Sequence, residues 1–188
     1  MNIKEKLQSI TEDDLRKKVI IPMMYALGCI DVRDTHGPYE KGKDVVYETD
    51  HLLRKKVYGA IIIKNTCNIS KGRPLDNLYR QAKDAMKEFE NPNDLSGSKI
   101  KIHELIIITA YKVTPAASNY IFENCGVNFP NLHIIDGNTL ESIIRELISE
   151  HRTKKKEEYQ FNIDTFKDFC ERKSGRTISI PEPTIRAY

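Results

Sequence analysis

The sequence predicts an α/β protein with a mixed central sheet flanked by helices on both faces. Short runs rich in Val, Ile and Tyr alternate with longer stretches whose apolar residues recur at helical spacing, which predicts the order αβββαβαβα. Residues 37–65 (GPYEKGKDVVYETDHLLRKKVYGAIIIKN) hold two adjacent strands joined by a polar turn. The first, over 43–48, opens near Asp44. The second, over 57–64, is apolar until it ends on Lys64. A strand of this kind is buried on both faces and delivers one polar group to a rim.

The elements follow in chain order. Residues 11–27 predict an amphipathic helix with Thr11 as N-cap and Glu12, Asp13 and Asp14 in the first turn, where the helix dipole favours acids. Leu15, Val19, Ile20, Met23, Met24 and Leu27 mark its buried stripe. Pro22 predicts a kink or a broken turn, and Gly28 ends the helix. Residues 29–33 suit a short edge strand, and residues 34–38 carry turn chemistry. After the two central strands comes a polar loop with Ser70, Lys71, Gly72, Arg73 and Pro74, then a helix over 75–89. Residues 91–99 predict a loop, and 102–111 hold a third buried strand around LIIIT. A helix over 115–125 begins at Pro115, a short strand covers 132–136, and a closing helix covers 138–148.

At 188 residues the chain accommodates one domain, predicted over 1–150, with an appendage over 151–188. The appendage reads as a charged linker or docking tail with a short helix around Ile163, Phe166 and Phe169, and a further domain beyond it is one reading. With 39% hydrophobic and 30% charged residues the composition is that of a soluble globular protein. No apolar run is long enough for a membrane span and no leader pattern is present, so a cytoplasmic protein without membrane association is expected. Cys29, Cys67, Cys125 and Cys170 are widely spaced, which suits free thiols in a reducing compartment. The net charge of +3 leaves a nucleic-acid partner to be decided by local patches. The sequence holds no GxxxxGK[ST], GxGxxG or GxSxG motif, which disfavours an NTPase, a dinucleotide enzyme and a serine hydrolase.

The stretches HGPYEKGKDVVY and YGAIIIKN, in this order and after the helix opening TEDDLRKKVIIPMMYALG, resemble the restriction-endonuclease-like PD-(D/E)XK nuclease superfamily. Mrr-type and defence-associated nuclease domains are the nearest in flavour. The resemblance spans roughly residues 12–148 and implies an αβββαβα core. It also implies hydrolysis of DNA phosphodiester bonds, assisted by Mg²⁺ or by Mn²⁺ in its place, in a prokaryotic restriction or anti-phage role. RNA is the alternative substrate. By this resemblance Asp44 is the metal-binding acid and Lys64 positions or activates the attacking water.

The family pattern has Glu, Asp or Gln two residues before the lysine, where this chain has Ile62. Glu40 is the expected substitute ligand, with the Ile63 carbonyl filling another position. Glu12 or Asp84 could be a ligand carried on a helix, with Gln81 as a polar neighbour. Lys43, Lys71, Arg73 and Gln81 are expected to contact nucleic acid, and His36 to support the site or cap a turn. His103 and His133 read as structural, and Asp136 with Asn138 as helix capping. A homodimer or higher oligomer with a fused or partner regulatory domain is expected. The rival reading is a nuclease-fold module that binds nucleic acid or a protein without cutting.

Overall fold

The computed structural model describes residues 2–35, 42–50, 56–85, 87–90, 99–125, 131–150 and 161–176. Its centre is β3 (Lys56–Ile63), flanked by β2 (Val45–Asp50) and by β6 (Glu104–Ile108) in a five-stranded mixed sheet. Edge strand β1 (Asp31–Asp34) pairs antiparallel with β2, and β7 (Leu132–Ile135) closes the other edge. The β2–β3 pairing is antiparallel, whereas β3–β6 and β6–β7 are parallel. The carboxyl ends of β3, β6 and β7 therefore share one end of the sheet with the start of β2. A small antiparallel pair, β4 (Phe89–Glu90) with β5 (Lys99–Ile100), lies outside this sheet.

Alternation along the strands sorts side chains onto two cores. Val45, Tyr47, Ile61, Ile63 and Ile108 point into one. It is covered by α1 (Ile3–Gln8), the helical stretch from α2 (Glu12–Asp14) through α3 (Ile21–Ala26), α6 (Gly137–Glu150) and α7 (Ile163–Ser174). Ala60, Ile62, Leu105 and Ile107 point into the other, covered by α4 (Arg73–Ala85) and α5 (Pro115–Cys125). The five-stranded mixed sheet and its helices on both faces agree with the architecture expected from the sequence.

Two elements differ from expectation, and the break expected at Pro22 takes a particular form. There the backbone leaves α register for π register over Leu15–Ile20, where the Ile21 N–H donates to the Arg16 carbonyl five residues back. That wider turn keeps the proline ring clear of the turn before it. The helix ends as expected, with the Gly28 N–H on the Tyr25 carbonyl and the Cys29 N–H on that of Met24, a Schellman arrangement. The helix after β3 starts at Arg73, with Pro74 tolerated in its first turn, and stops at Ala85; Phe89 belongs to β4. Helix α1, which sequence patterning did not separate from its polar surroundings, is closed by a reciprocal cap between Asn2 and Glu5.

Helix α7 is part of the main core. Phe161, Phe166, Phe169 and Cys170 are buried with the α1–α3 side chains, and Asn162 caps it by accepting from the Asp164 and Thr165 N–H groups. Among the described residues no helix is long and apolar enough to cross a membrane.

Cys29, Cys125 and Cys170 are buried and Cys67 is exposed. Burial pushes the Cys29 and Cys170 thiols up from 9.0 to about 12, and that of Cys125 upward. The protonated form is thus the folded one. These thiols leave stability unchanged below their ordinary pKa, and stability falls as pH rises through the interval toward 12, where the unfolded chain alone ionises. The expected result is a denaturant midpoint flat to about pH 8 and declining above about pH 9. A thiol-reactive chromophore at pH 8 labels Cys67 rapidly and the other three only on unfolding; rapid labelling of all four contradicts this packing.

Candidate functional site

Backbone geometry at the end of β3 builds the site. The Asp44 N–H donates to the Ile61 carbonyl (3.0 Å), one step beyond the last β2–β3 residue pair, Val45 with Ile61. The next donor on that side of β3 is the Ile63 N–H, and it goes to the Asp44 carboxylate, at 2.7 Å from Oδ2. Antiparallel geometry directs the Ile63 carbonyl toward the same side. Asp44 is only 1% exposed, and the Gln81 amide of α4 stands 3.5 Å from the same oxygen. Thr35 holds the turn from behind: its N–H donates to the Asp44 carbonyl and its hydroxyl to the Lys43 carbonyl.

This turn lies against α4 because residue 42 is glycine. Gly42 has φ +79°, and a Cβ there would collide with the Gln81 carbonyl and crowd Ala85 N and Asp84 Cβ. The GKD sequence is thus a packing requirement that sets Asp44 beside Gln81.

A second carboxylate arrives from the other face of the sheet. Glu12, the first residue of α2, accepts from the Asn65 N–H (3.0 Å) through Oε2, and its Oε1 lies 3.4 Å from the Lys64 ammonium. Both side chains of this ion pair are about one quarter exposed. Thr11 starts the helix as predicted, accepting from the Asp14 N–H. Ile63 therefore binds Asp44 and Asn65 binds Glu12 through their backbone N–H groups, with Lys64 between them in the chain. Arg16, a turn further along, is buried with its Nε 3.0 Å from Asp34 and also pairs with Asp13, which ties this helix to the end of β1.

Asn65 was not singled out by sequence reasoning, yet it places Glu12. Its side-chain amide donates to the Leu7 and Ile10 carbonyls, each at 2.9 Å, and so seats the α1–α2 junction against the end of β3. It is buried, and its Oδ1 has no hydrogen-bond partner among the described residues. The one available signal was a polar residue directly after a buried strand.

The structure places the remaining candidates as follows. Ile62 is fully buried beneath α4 and α5, so the position of the family's second acid belongs to the core. Lys43 is 1% exposed and lies within the fold, because the turn carrying it is closed between Thr35 and α4. Lys71 and Arg73 are exposed at the start of α4. Asp84 pairs with Lys87. Glu40 and His36 lie outside the described residues.

At the opposite end of the sheet, the buried Tyr47 hydroxyl donates to Glu104, which also meets His133 at 3.3 Å. Burial, reinforced by that bond, pushes the Tyr47 phenol well above its ordinary value. The ring lies over Gly59, where a Cβ would collide with it. This cluster braces the sheet end remote from Asp44 and Lys64.

Among the described residues no group of three or more His, Cys, Asp or Glu could hold a metal ion. Two carboxylates each accept from a backbone N–H at the end of β3, Asp44 from Ile63 and Glu12 from Asn65. No family model, curated protein or solved structure matches the chain.

Two outcomes follow from this construction. Asn65→Ala leaves two backbone carbonyls without their donor and is expected to cost about 2 kcal/mol, or about 4–8 °C in a thermal melt. Gly42→Ala is expected to cost a similar ~2 kcal/mol, because both conformation and contact oppose it. A melt within a degree of wild type for either variant contradicts the placement.

Proposed function

We propose that the chain is a metal-dependent endonuclease of the restriction-endonuclease-like class, hydrolysing DNA phosphodiester bonds at the end of β3. The observation that carries this reading is that Asp44 and Glu12 accept from the backbone N–H groups on either side of Lys64, Glu12 also engaging the Lys64 ammonium. The chain's mixed sheet, with an acid opening β2 and a lysine directly after β3, supports it. So does the location at the carboxyl ends of parallel strands, where α/β sheets commonly bind ligands. The role would be that of a restriction or anti-phage nuclease, and cutting both strands of a duplex calls for two such centres.

In this reading Asp44, Glu12 and the Ile63 carbonyl hold the metal. When bound, a divalent ion neutralises phosphate charge and lowers the pKa of its water. The Lys64 ammonium donates a hydrogen bond to the attacking water or to the phosphate oxygen on which charge develops. In the resting arrangement Glu12 engages that ammonium at 3.4 Å, so each charged group holds the other in place. The Gln81 amide and Ile63 N–H orient the Asp44 carboxylate from two directions.

The alternative, a nuclease-fold module that binds without cutting, is favoured by the burial of Ile62 where the family's second acid would stand. Nicking of supercoiled plasmid in Mg²⁺ or Mn²⁺ separates the two. Wild type is expected to cut, with Asp44→Ala and Lys64→Ala each reduced at least ~100-fold and Glu12→Gln reduced ~10–100-fold. A wild type as inert as its variants on both DNA and RNA overturns the enzymatic reading in favour of the module.

A further inference from the structure

Two loops leave the site end of the sheet, one after β3 and one after β6, and they are bound to each other. Ile69 and Val113 form a parallel bridge beyond the strands. The Ile69 N–H donates to the Lys112 carbonyl (2.9 Å) and the Thr114 N–H to the Ile69 carbonyl (3.0 Å). The Lys112 N–H donates to the Asn68 side chain at 3.0 Å. The β6 loop is thereby held alongside the loop that follows Lys64.

The charge on these loops is one-sided. The loops 64–72 and 109–114, with Arg73 opening α4, carry Lys64, Lys71, Arg73 and Lys112, although the whole chain carries only +3; the first acid after Arg73 is Asp76, in the first turn of α4. Lys71, Arg73 and Lys112 are exposed, as are Thr66, Asn68 and Ser70. Cations and small polar groups on a fixed backbone are what binds the phosphate oxygens of a duplex. A site for single strands would present aromatic rings for base stacking. The only aromatic residue in these segments is Tyr111, which is partly buried with its hydroxyl on the Gln8 carbonyl.

We propose that the stitched loops form a rim that grips the phosphate backbone of duplex DNA without reading its sequence, with Lys112 contributing alongside Lys71 and Arg73. The proposal rests on the nucleic-acid reading of the site and adds a residue from the loop after β6, which that reading does not otherwise use. The rim delivers the duplex to Lys64, the cation at the start of the same loop.

The test is fluorescence anisotropy of a labelled duplex of random sequence, with Ca²⁺ replacing Mg²⁺ so that nothing is cut, at salt concentrations from 50 to 200 mM. Lys112→Ala is expected to weaken binding about fivefold and to flatten the log–log salt dependence by about 0.9, as Lys71→Ala does. Lys101→Ala, an exposed lysine at the far end of β6, serves as the control and leaves both unchanged. Wild-type binding with Lys112→Ala indistinguishable from Lys101→Ala overturns the rim while leaving the nuclease reading intact. Tighter binding of the single strand or of RNA overturns the duplex assignment. No binding by wild type to any of these at 50 mM salt overturns both the rim and the nucleic-acid reading.

Discussion

Asp44 completes the pairing of β2 with β3 through its side chain. Its own N–H meets the Ile61 carbonyl, and its carboxylate then takes the Ile63 N–H that no further β2 residue reaches. An unpaired amide buried at this point would cost roughly 1–3 kcal/mol, so a short acceptor is required there for stability alone. Other features of the site depend on that bond. Gly42 lets the turn approach α4, Thr35 holds the turn from β1, and Gln81 is brought to the same carboxylate. The end of β3 is thereby held rigid, and Lys64 leaves it with its backbone N–H on Ile108 of the neighbouring strand.

The second half of the site depends on tertiary packing. Glu12 reaches β3 because Asn65 anchors the α1–α2 junction and because Arg16, paired with Asp34, holds the following turn against β1. The π register between Leu15 and Ile20 lies in this same helix, between the residue that enters the site and the proline that disrupts the ladder. Helices α1 and α7 cover the same face, with Phe166 and Phe169 packed among the side chains of the first helices. A carboxylate on one face of the sheet and another on the opposite face are thus each bound to a backbone N–H at the same strand terminus.

Much of this architecture was legible in the sequence. The strands β3 and β6 are near-continuous apolar runs, and α5 and the cap of α2 carry unambiguous local chemistry at Pro115 and Thr11. Asp44 and Lys64 were legible for the same reason, since a charge at the end of a buried strand has few places to go. Glu12 was legible only as a candidate, because an acid in a first helical turn is equally explained by the dipole. Asn65, Arg16 and the bridge joining Ile69 to Val113 depend on contacts distant in sequence, which leave no periodic trace. Lys43 misled for a related reason: its neighbour Asp44 suggested a rim, whereas the closing of the turn buries its side chain.

The proposed function makes Asp44 and Glu12 together a cation site at the end of β3. Mn²⁺ titration followed by electron paramagnetic resonance tests it on wild type, Asp44→Asn and Glu12→Gln. One bound ion per chain is expected, lost in Asp44→Asn and at least about tenfold weaker in Glu12→Gln, with the folded state of both variants confirmed by their melts. Binding that is absent from folded wild type, or equal in all three proteins, would contradict it.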